Sequence, residues 1–135
     1  MTPQETVIAW LKASAEVTAQ VGSRIFGEWV DERSNLWPAV TVRLEQTATG
    51  YHAGGSDGLR NTVLIVTAWA RKRTEATAAG QAIVNRLDGQ RGMWFSTEVL
   101  GAFCEVREVH SEEPVNRELD FYGHEITLEL LTRDS

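Results

Sequence analysis

The chain has 135 residues, close to the commonest size for one domain, and its 42% apolar and 24% charged composition is that of a globular protein able to bury one core without metal or disulfide help. Its net charge of −6, from 13 basic and 19 acidic residues, argues against dedicated binding to the nucleic-acid backbone, which needs a basic patch to displace counterions. The single cysteine, Cys104, cannot form an intrachain disulfide and fits a reducing compartment.

The opening residues, Met-Thr-Pro-Gln-Glu, carry no secretory signal pattern, and no apolar run is long enough to span a bilayer. Thr2-Pro3-Gln4-Glu5 reads as a capping box with proline at the first helical position, and Val7, Ile8, Trp10, Leu11 and Ala15 supply an apolar face behind it. A second helical turn, Ala15 to Val21, is closed by Gly22. Arg24 to Gly27 is an apolar pair between polar punctuation, and Glu28 to Pro38 reads as a loop anchored by Trp29, Leu36 and Trp37. Pro38 pushes its neighbour toward extended backbone and marks the entry to a strand, Ala39 to Thr47. Val40, Val42 and Leu44 alternate there with Thr41, Arg43 and Glu45, which predicts one buried and one wet face.

Residues Thr49 to Gly58 hold four glycines and read as a loop. The next strand, Leu59 to Ala70, contains Val63-Leu64-Ile65-Val66, apolar on both sides, which predicts a central position. Extended throughout, it spans about 40 Å, as long as the whole domain, so its hairpin is expected to reach the domain edge or project past it. After Arg71-Lys72-Arg73, Thr74 is the expected N-cap of a second main helix. Small residues at Ala76, Ala79 and Gly80 let that helix lie close to the sheet, and Gly89 closes it. Gly92 to Phe95 is ambiguous. Leu100 to His110 is a weaker third strand, Ser111 to Arg117 a polar turn, and Phe121 to Thr132 the cleanest strand, with Ile126, Leu128 and Leu130 pointing inward. The expected fold is α+β: a mostly antiparallel sheet of about four strands with two main helices on one face, and residues 1–135 as a single domain.

Chemistry-bearing motifs are scarce. Gly54-Gly55-Ser56-Asp57-Gly58 lacks the lysine and following helix of a phosphate-binding loop. His52, His110, His124 and Cys104 show none of the short spacings of zinc sites, and no nucleophile elbow is present. A carboxylate-histidine cluster of His110, Asp120 and His124 is the one enzyme-like constellation, and a solvated hairpin end is the commoner explanation for such residues. The basic residues cluster only at Arg71-Lys72-Arg73, a stretch read as solvated or ion-paired with a neighbour. Five tryptophans are many for this length, and most are expected in the core.

Taken in order, several stretches resemble the tail-completion or tail-terminator proteins of long-tailed bacteriophages and related phage-like particles. They are Val21-Gly22-Ser23-Arg24-Ile25-Phe26 after the first helix, Trp37-Pro38-Ala39-Val40-Thr41-Val42, the glycine loop 54–58, Val66-Thr67-Ala68-Trp69-Ala70, Thr74-Glu75-Ala76, and the final alternating strand. The resemblance implies a structural virion protein, assembled in the host cytoplasm, that forms a homo-oligomeric ring, usually of six subunits. Such a ring sits at the head-proximal end of the tail tube, stops tube growth and joins tail to head. Its implied partners are further copies, the tail tube protein and a neck or head-completion protein, with DNA passing through unbound and no membrane. No enzyme activity, catalytic residue, metal or cofactor is implied. A different neck or head-closure component is the nearest alternative. Residues expected at ring or tube contacts are Tyr51, His52, Asp57 and Arg60 on the long hairpin, with Arg71 and Arg73 beyond its far end.

Overall fold

The structure is a computed structural model describing residues 2–27, 38–52, 55–111 and 121–133, with backbone alone at 46–52, 55–58, 109–111 and 121. Among the described residues the elements run α1 (Pro3–Lys12), α2 (Ala15–Val21), β1 (Ile25–Gly27), β2 (Ala39–His52), β3 (Gly55–Ala70), α3 (Arg73–Leu87), β4 (Gly92–Trp94), β5 (Thr97–Ser111) and β6 (Phe121–Arg133).

Local chemistry accounts for the helix ends. The Thr2 hydroxyl accepts the Glu5 N–H at 3.1 Å and donates to the Glu5 carboxylate at 3.0 Å, a reciprocal cap with Pro3 just inside it. Ser14 accepts the Val17 N–H at 3.3 Å to start α2, and Gly22, at φ +60°, takes the chain out of it. The third helix departs from expectation. Its N-cap is Lys72, which makes no side-chain cap, and Thr74 lies inside the helix. Gly89 follows the Asp88 C-cap at φ +71°, where a glycine costs least.

The sheet has six strands in the order β1-β2-β3-β6-β5-β4. β1 runs parallel to β2, and every other pairing is antiparallel. The α+β class and the four long antiparallel strands match the sequence reading. The additional strands are β1 and β4, three residues each and too short for any alternation to announce them. β3 lies between β2 and β6, the central place its two-sided apolar run demands.

The glycine-rich segment is not the loop its composition suggests. β2 continues to His52 and β3 begins at Gly55, with Tyr51 opposite Ser56 and His52 opposite Gly55. Ladder hydrogen bonds need only backbone, so glycines between Thr49 and Tyr51 on one side and Arg60 on the other do not prevent pairing. Of the remaining loop assignments, Glu28 to Trp37 and Glu112 to Arg117 lie outside the described residues.

Partner residues across the ladders share a face. One face carries Val40, Val42, Leu64, Val66, Ala68, Ile126, Leu128, Leu130, Val99 and Ala102, all buried. The three helices cover it through Val7, Leu11, Val17, Val21, Ala79, Ala82, Ile83 and Leu87, forming one continuous core. Leu44, expected to point inward with Val40 and Val42, is 44% exposed. The ladder shifts register between Leu44 and Gln46, just past Val42, whose carbonyl accepts from Gln4 Nε2 of α1 at 2.6 Å.

Candidate interaction surfaces

Three regions present chemistry at the surface. The first is the sheet face without helices. Val63, Ile65, Trp69 and Leu131 are half-buried there, and Phe103 is 59% exposed. Gly101 lets the Phe103 ring fold back over the strand, since a Cβ there would meet it at 3.1 Å. Polar pairs lie among these apolar side chains: the ion pairs Arg107–Glu125 at 3.3 Å and Arg133–Glu98 at 3.8 Å, and Asn61 donating to Glu129 at 3.0 Å. Trp69 donates its indole N–H to Thr41 Oγ1 at 3.1 Å and lies across Gly123, where a Cβ would meet the ring at 3.0 Å.

The second region lies near the C-terminal end of α3. Trp10 stacks on Trp94 with centroids 4.8 Å apart, and the Arg86 guanidinium sits 3.8 Å from the Trp10 ring centroid. Arg86 Nε donates to the Trp10 carbonyl at 3.0 Å, and burial lowers its pKa. Phe95 packs edge-on to Trp10 in the tight β4–β5 turn, at φ +58°, a backbone region costly for a side chain of that size. Met93 and Phe95 are 60% and 49% exposed beside it. Of the five tryptophans, Trp94 is fully buried and Trp10 and Trp69 partly so, while Trp29 and Trp37 lie outside the described residues.

The third region is a half-open cavity of about 260 Å³ between the first turns of α3 and the ends of β5 and β6, lined by Arg73, Ala76, Thr77, Glu108, Tyr122, Gly123 and His124. Arg73 is ion-paired with Glu108 across its mouth. His124 is 7% exposed and packs against Gly80 so closely that a Cβ at residue 80 would come within 2.1 Å of its ring. The expected close approach of α3 to the sheet is made at this glycine. Burial lowers the His124 pKa, and the Glu108 charge works in the other direction.

The sequence-predicted contact residues fall at opposite ends of β3. The backbone of Tyr51, His52 and Asp57 belongs to the extended hairpin, and their side chains lie outside the described residues. Arg60 is half-buried in β3 opposite Thr49 and Thr132. Arg71 and Arg73 stand at the other end of the strand, both exposed. Of the enzyme-like constellation, His124 faces Glu108 in the ladder and His110 faces Tyr122, while Asp120 lies outside the described residues. The residues sequence reasoning missed are Phe103, Met93, Phe95 and Glu108. Each belongs to a strand or turn that its alternation did not define.

Burial, and secondarily the Asp88 charge, push the Cys104 thiol up to about 12, so little thiolate forms near neutral pH. Among the described residues no group of three or more His, Cys, Asp or Glu is placed to hold a metal ion. Among them, too, no helix is long and apolar enough to cross a membrane.

Comparison with known proteins narrows the reading. No curated protein matches the chain. A solved chain described as belonging to the virion of native gene transfer agent (GTA) particle is similar in fold, with a TM-score of 0.78 at 17% identity over 98% of this chain and 95% of that one. The family described as Tail completion protein gp17 matches residues 5–98, from α1 through the β4–β5 turn. The chain therefore belongs to the tail completion protein gp17 family.

Proposed function

We propose that this protein is a non-catalytic virion component that closes the head-proximal end of a phage-type tail tube as a ring of identical subunits, in the usual case six, and joins it to the head. Family membership through residues 5–98 carries this reading. The likeness to a chain from a gene transfer agent virion, nearly end to end, supports the fold that such a component needs.

The surfaces fit the task physically. Cyclic head-to-tail contacts close into a ring when the rotation between copies fits, and they require two different surfaces on each subunit. Here one sheet face is committed to the core, whereas the other keeps an apolar group within a polar surround, the usual composition of an interface. The β2–β3 ribbon supplies a second surface. β6 pairs with β3 from Leu59 to Ala70, so Gly55 and Ser56 of β3 pair only with β2 among the described residues. We assign tube or ring contacts to this ribbon, with Tyr51, His52, Asp57 and Arg60 as its contact residues, and neighbouring-subunit contacts to Arg71 and Arg73. The net negative charge keeps DNA phosphate from adhering as it passes.

The test is electron microscopy of particles made without this protein. Tails of uncontrolled length, or tails separated from filled heads, are expected. Attached tails of normal length would overturn the proposal. Deleting residues 50–57 separates the ribbon from the rest, since loss of rings or tube capping by an otherwise folded chain is the expected result.

A further inference from the structure

We infer that a second copy of this chain seats its β5 strand, around Glu105, on the patch that Arg86 and Phe95 form beside Met93. The inference rests on the self-assembly proposed above and names one contact of it.

The large apolar side chains exposed among the described residues are Leu44, Met93, Phe95, Phe103 and Val106. Single ones are ordinary on a surface, and only groupings call for a partner. Met93 and Phe95 belong to β4 and its turn into β5, whereas Phe103 and Val106 lie on β5 beyond the stretch that β4 covers. Each pair accompanies one charge that its own chain leaves unanswered.

At the turn that charge is Arg86. Its guanidinium lies 3.8 Å from the Trp10 ring centroid, and its Nε donates to the Trp10 carbonyl at 3.0 Å. Trp10 in turn donates its indole N–H to the Arg86 carbonyl at 3.3 Å. These reciprocal contacts hold the side chain in place before any partner arrives, which lowers the ordering cost of binding. The two Nη groups make no hydrogen bond or ion pair among the described residues, and neither is a buried nitrogen without a partner, so both open to solvent. Trp10 also carries Phe95 edge-on, with centroids 6.1 Å apart. Phe95 keeps its left-handed φ of +58° while half its surface stays exposed. Strain of this kind gathers where a side chain meets a ligand or partner, and aromatic and arginine side chains carry much of the energy of interfaces.

On β5 the charge is Glu105. It is exposed, and its carboxylate has no hydrogen-bond or ion-pair partner among the described residues. Glu98, Glu108, Glu125 and Glu129 on β5 and β6 each hold one. Glu75 is unpaired too, but none of the exposed large apolar residues belongs to its helix. Phe103 shares the open sheet face with Glu105, and Val106 follows on the helix side of the same strand.

The two patches cannot answer each other within one molecule. About 26 Å of extended strand separates Thr97, just past the turn, from Glu105. A held guanidinium among apolar groups and a free carboxylate among apolar groups are complementary, and they join through paired charge-assisted bonds. Two unlike patches on one chain are what head-to-tail contact between copies requires.

The test is native mass measurement on the full chain at low salt. The parent should associate. Arg86→Glu and Glu105→Arg should each weaken association by about tenfold or more, because like charges then face each other in place of a desolvated pair. An equimolar mixture of the two variants should restore it, with both species in one particle, since each altered patch then meets its complement. Mixing cannot rescue a folding defect, and Glu105→Arg changes only an exposed side chain, so its loss decides the matter should Arg86→Glu not fold. Unchanged association of Glu105→Arg overturns the inference and leaves the ring reading standing, as does a mixture of folded variants that stays apart. A parent that remains monomeric at millimolar concentration overturns it as well, and the particles made without the protein then judge the ring separately.

Discussion

Neighbouring residues of β6 lead different lives. Ile126, Leu128 and Leu130 face the helices and are fully buried, whereas Glu125, Thr127 and Glu129 face the other way and meet Arg107, Asn61 and solvent. One strand thus serves a packed interior on one side and an uncovered surface on the other. The difference teaches where mutation should damage the fold and where it should damage only assembly. A close-packed interior punishes lost volume, but an exposed surface tolerates changes of shape and charge.

The largest effect should come from the covered side. Leu128→Ala removes a fully buried side chain at the centre of the sheet and should cost about 2–5 kcal/mol, read from urea unfolding midpoints. Phe103→Ala, on the other face, should change stability by less than about 1 kcal/mol, and in the ring proposed above it should weaken self-association, measured by native mass. Equal losses at the two positions would break the contrast between the faces.

Gly80→Ala sharpens it further. Alanine is the better helix former, yet its methyl group would collide with the His124 ring and backbone-proximal Cβ. A net loss of roughly 1–3 kcal/mol is expected from overpacking, by the same measurement.

A smaller effect should appear with pH. Burial holds the folded-state pKa of His124 below its ordinary 6.5, so the unfolded chain takes up this proton first as pH falls. The stability that neutral His124 contributes is complete above about 6.5 and is lost as pH falls from there toward the folded-state value. Unfolding midpoints should therefore decline on acidification, and His124→Asn should flatten that decline.

The smallest effect is expected at Glu125→Gln. It breaks an ion pair whose arginine is 75% exposed, and such pairs contribute under about 1 kcal/mol, less in high salt. Its midpoint should match that of the parent in molar salt.

How much of this was legible in the sequence follows from length and alternation. β6 was readable because polar and apolar residues alternate from Glu125 to Leu130, and β3 because Val63 to Val66 is apolar on both sides. The cap at Thr2 was readable because side chains close in sequence make it. β1 and β4 were not, since three residues carry no period; β1 exists only through β2, some fifteen residues on, and β4 only through a tight turn onto β5 that no turn-type dipeptide announces. The outer part of the long hairpin was hidden by its glycines, whose composition signals a loop while their backbone pairs as strand. At the candidate surfaces, the cluster Arg71-Lys72-Arg73 was visible, but its meeting with Glu108 and His124 depends on tertiary placement. His124 was noticed as a hairpin-end residue, and its burial under Gly80 could be known only from the packing of α3 on the sheet.

One detail at the end of α3 sets a boundary elsewhere. Asp88 Oδ1 accepts the Cys104 N–H at 3.0 Å, and the Gly89 N–H donates to the Ala102 carbonyl at 2.8 Å. The helix exit thus latches the outer rim of β5 at these two residues, just past the stretch that β4 occupies. Any incoming strand that sought to lengthen the sheet on this side would find the Ala102 carbonyl and the Cys104 N–H already taken. The latch acts as a doorstop: it blocks any register of sheet growth that would need those two groups.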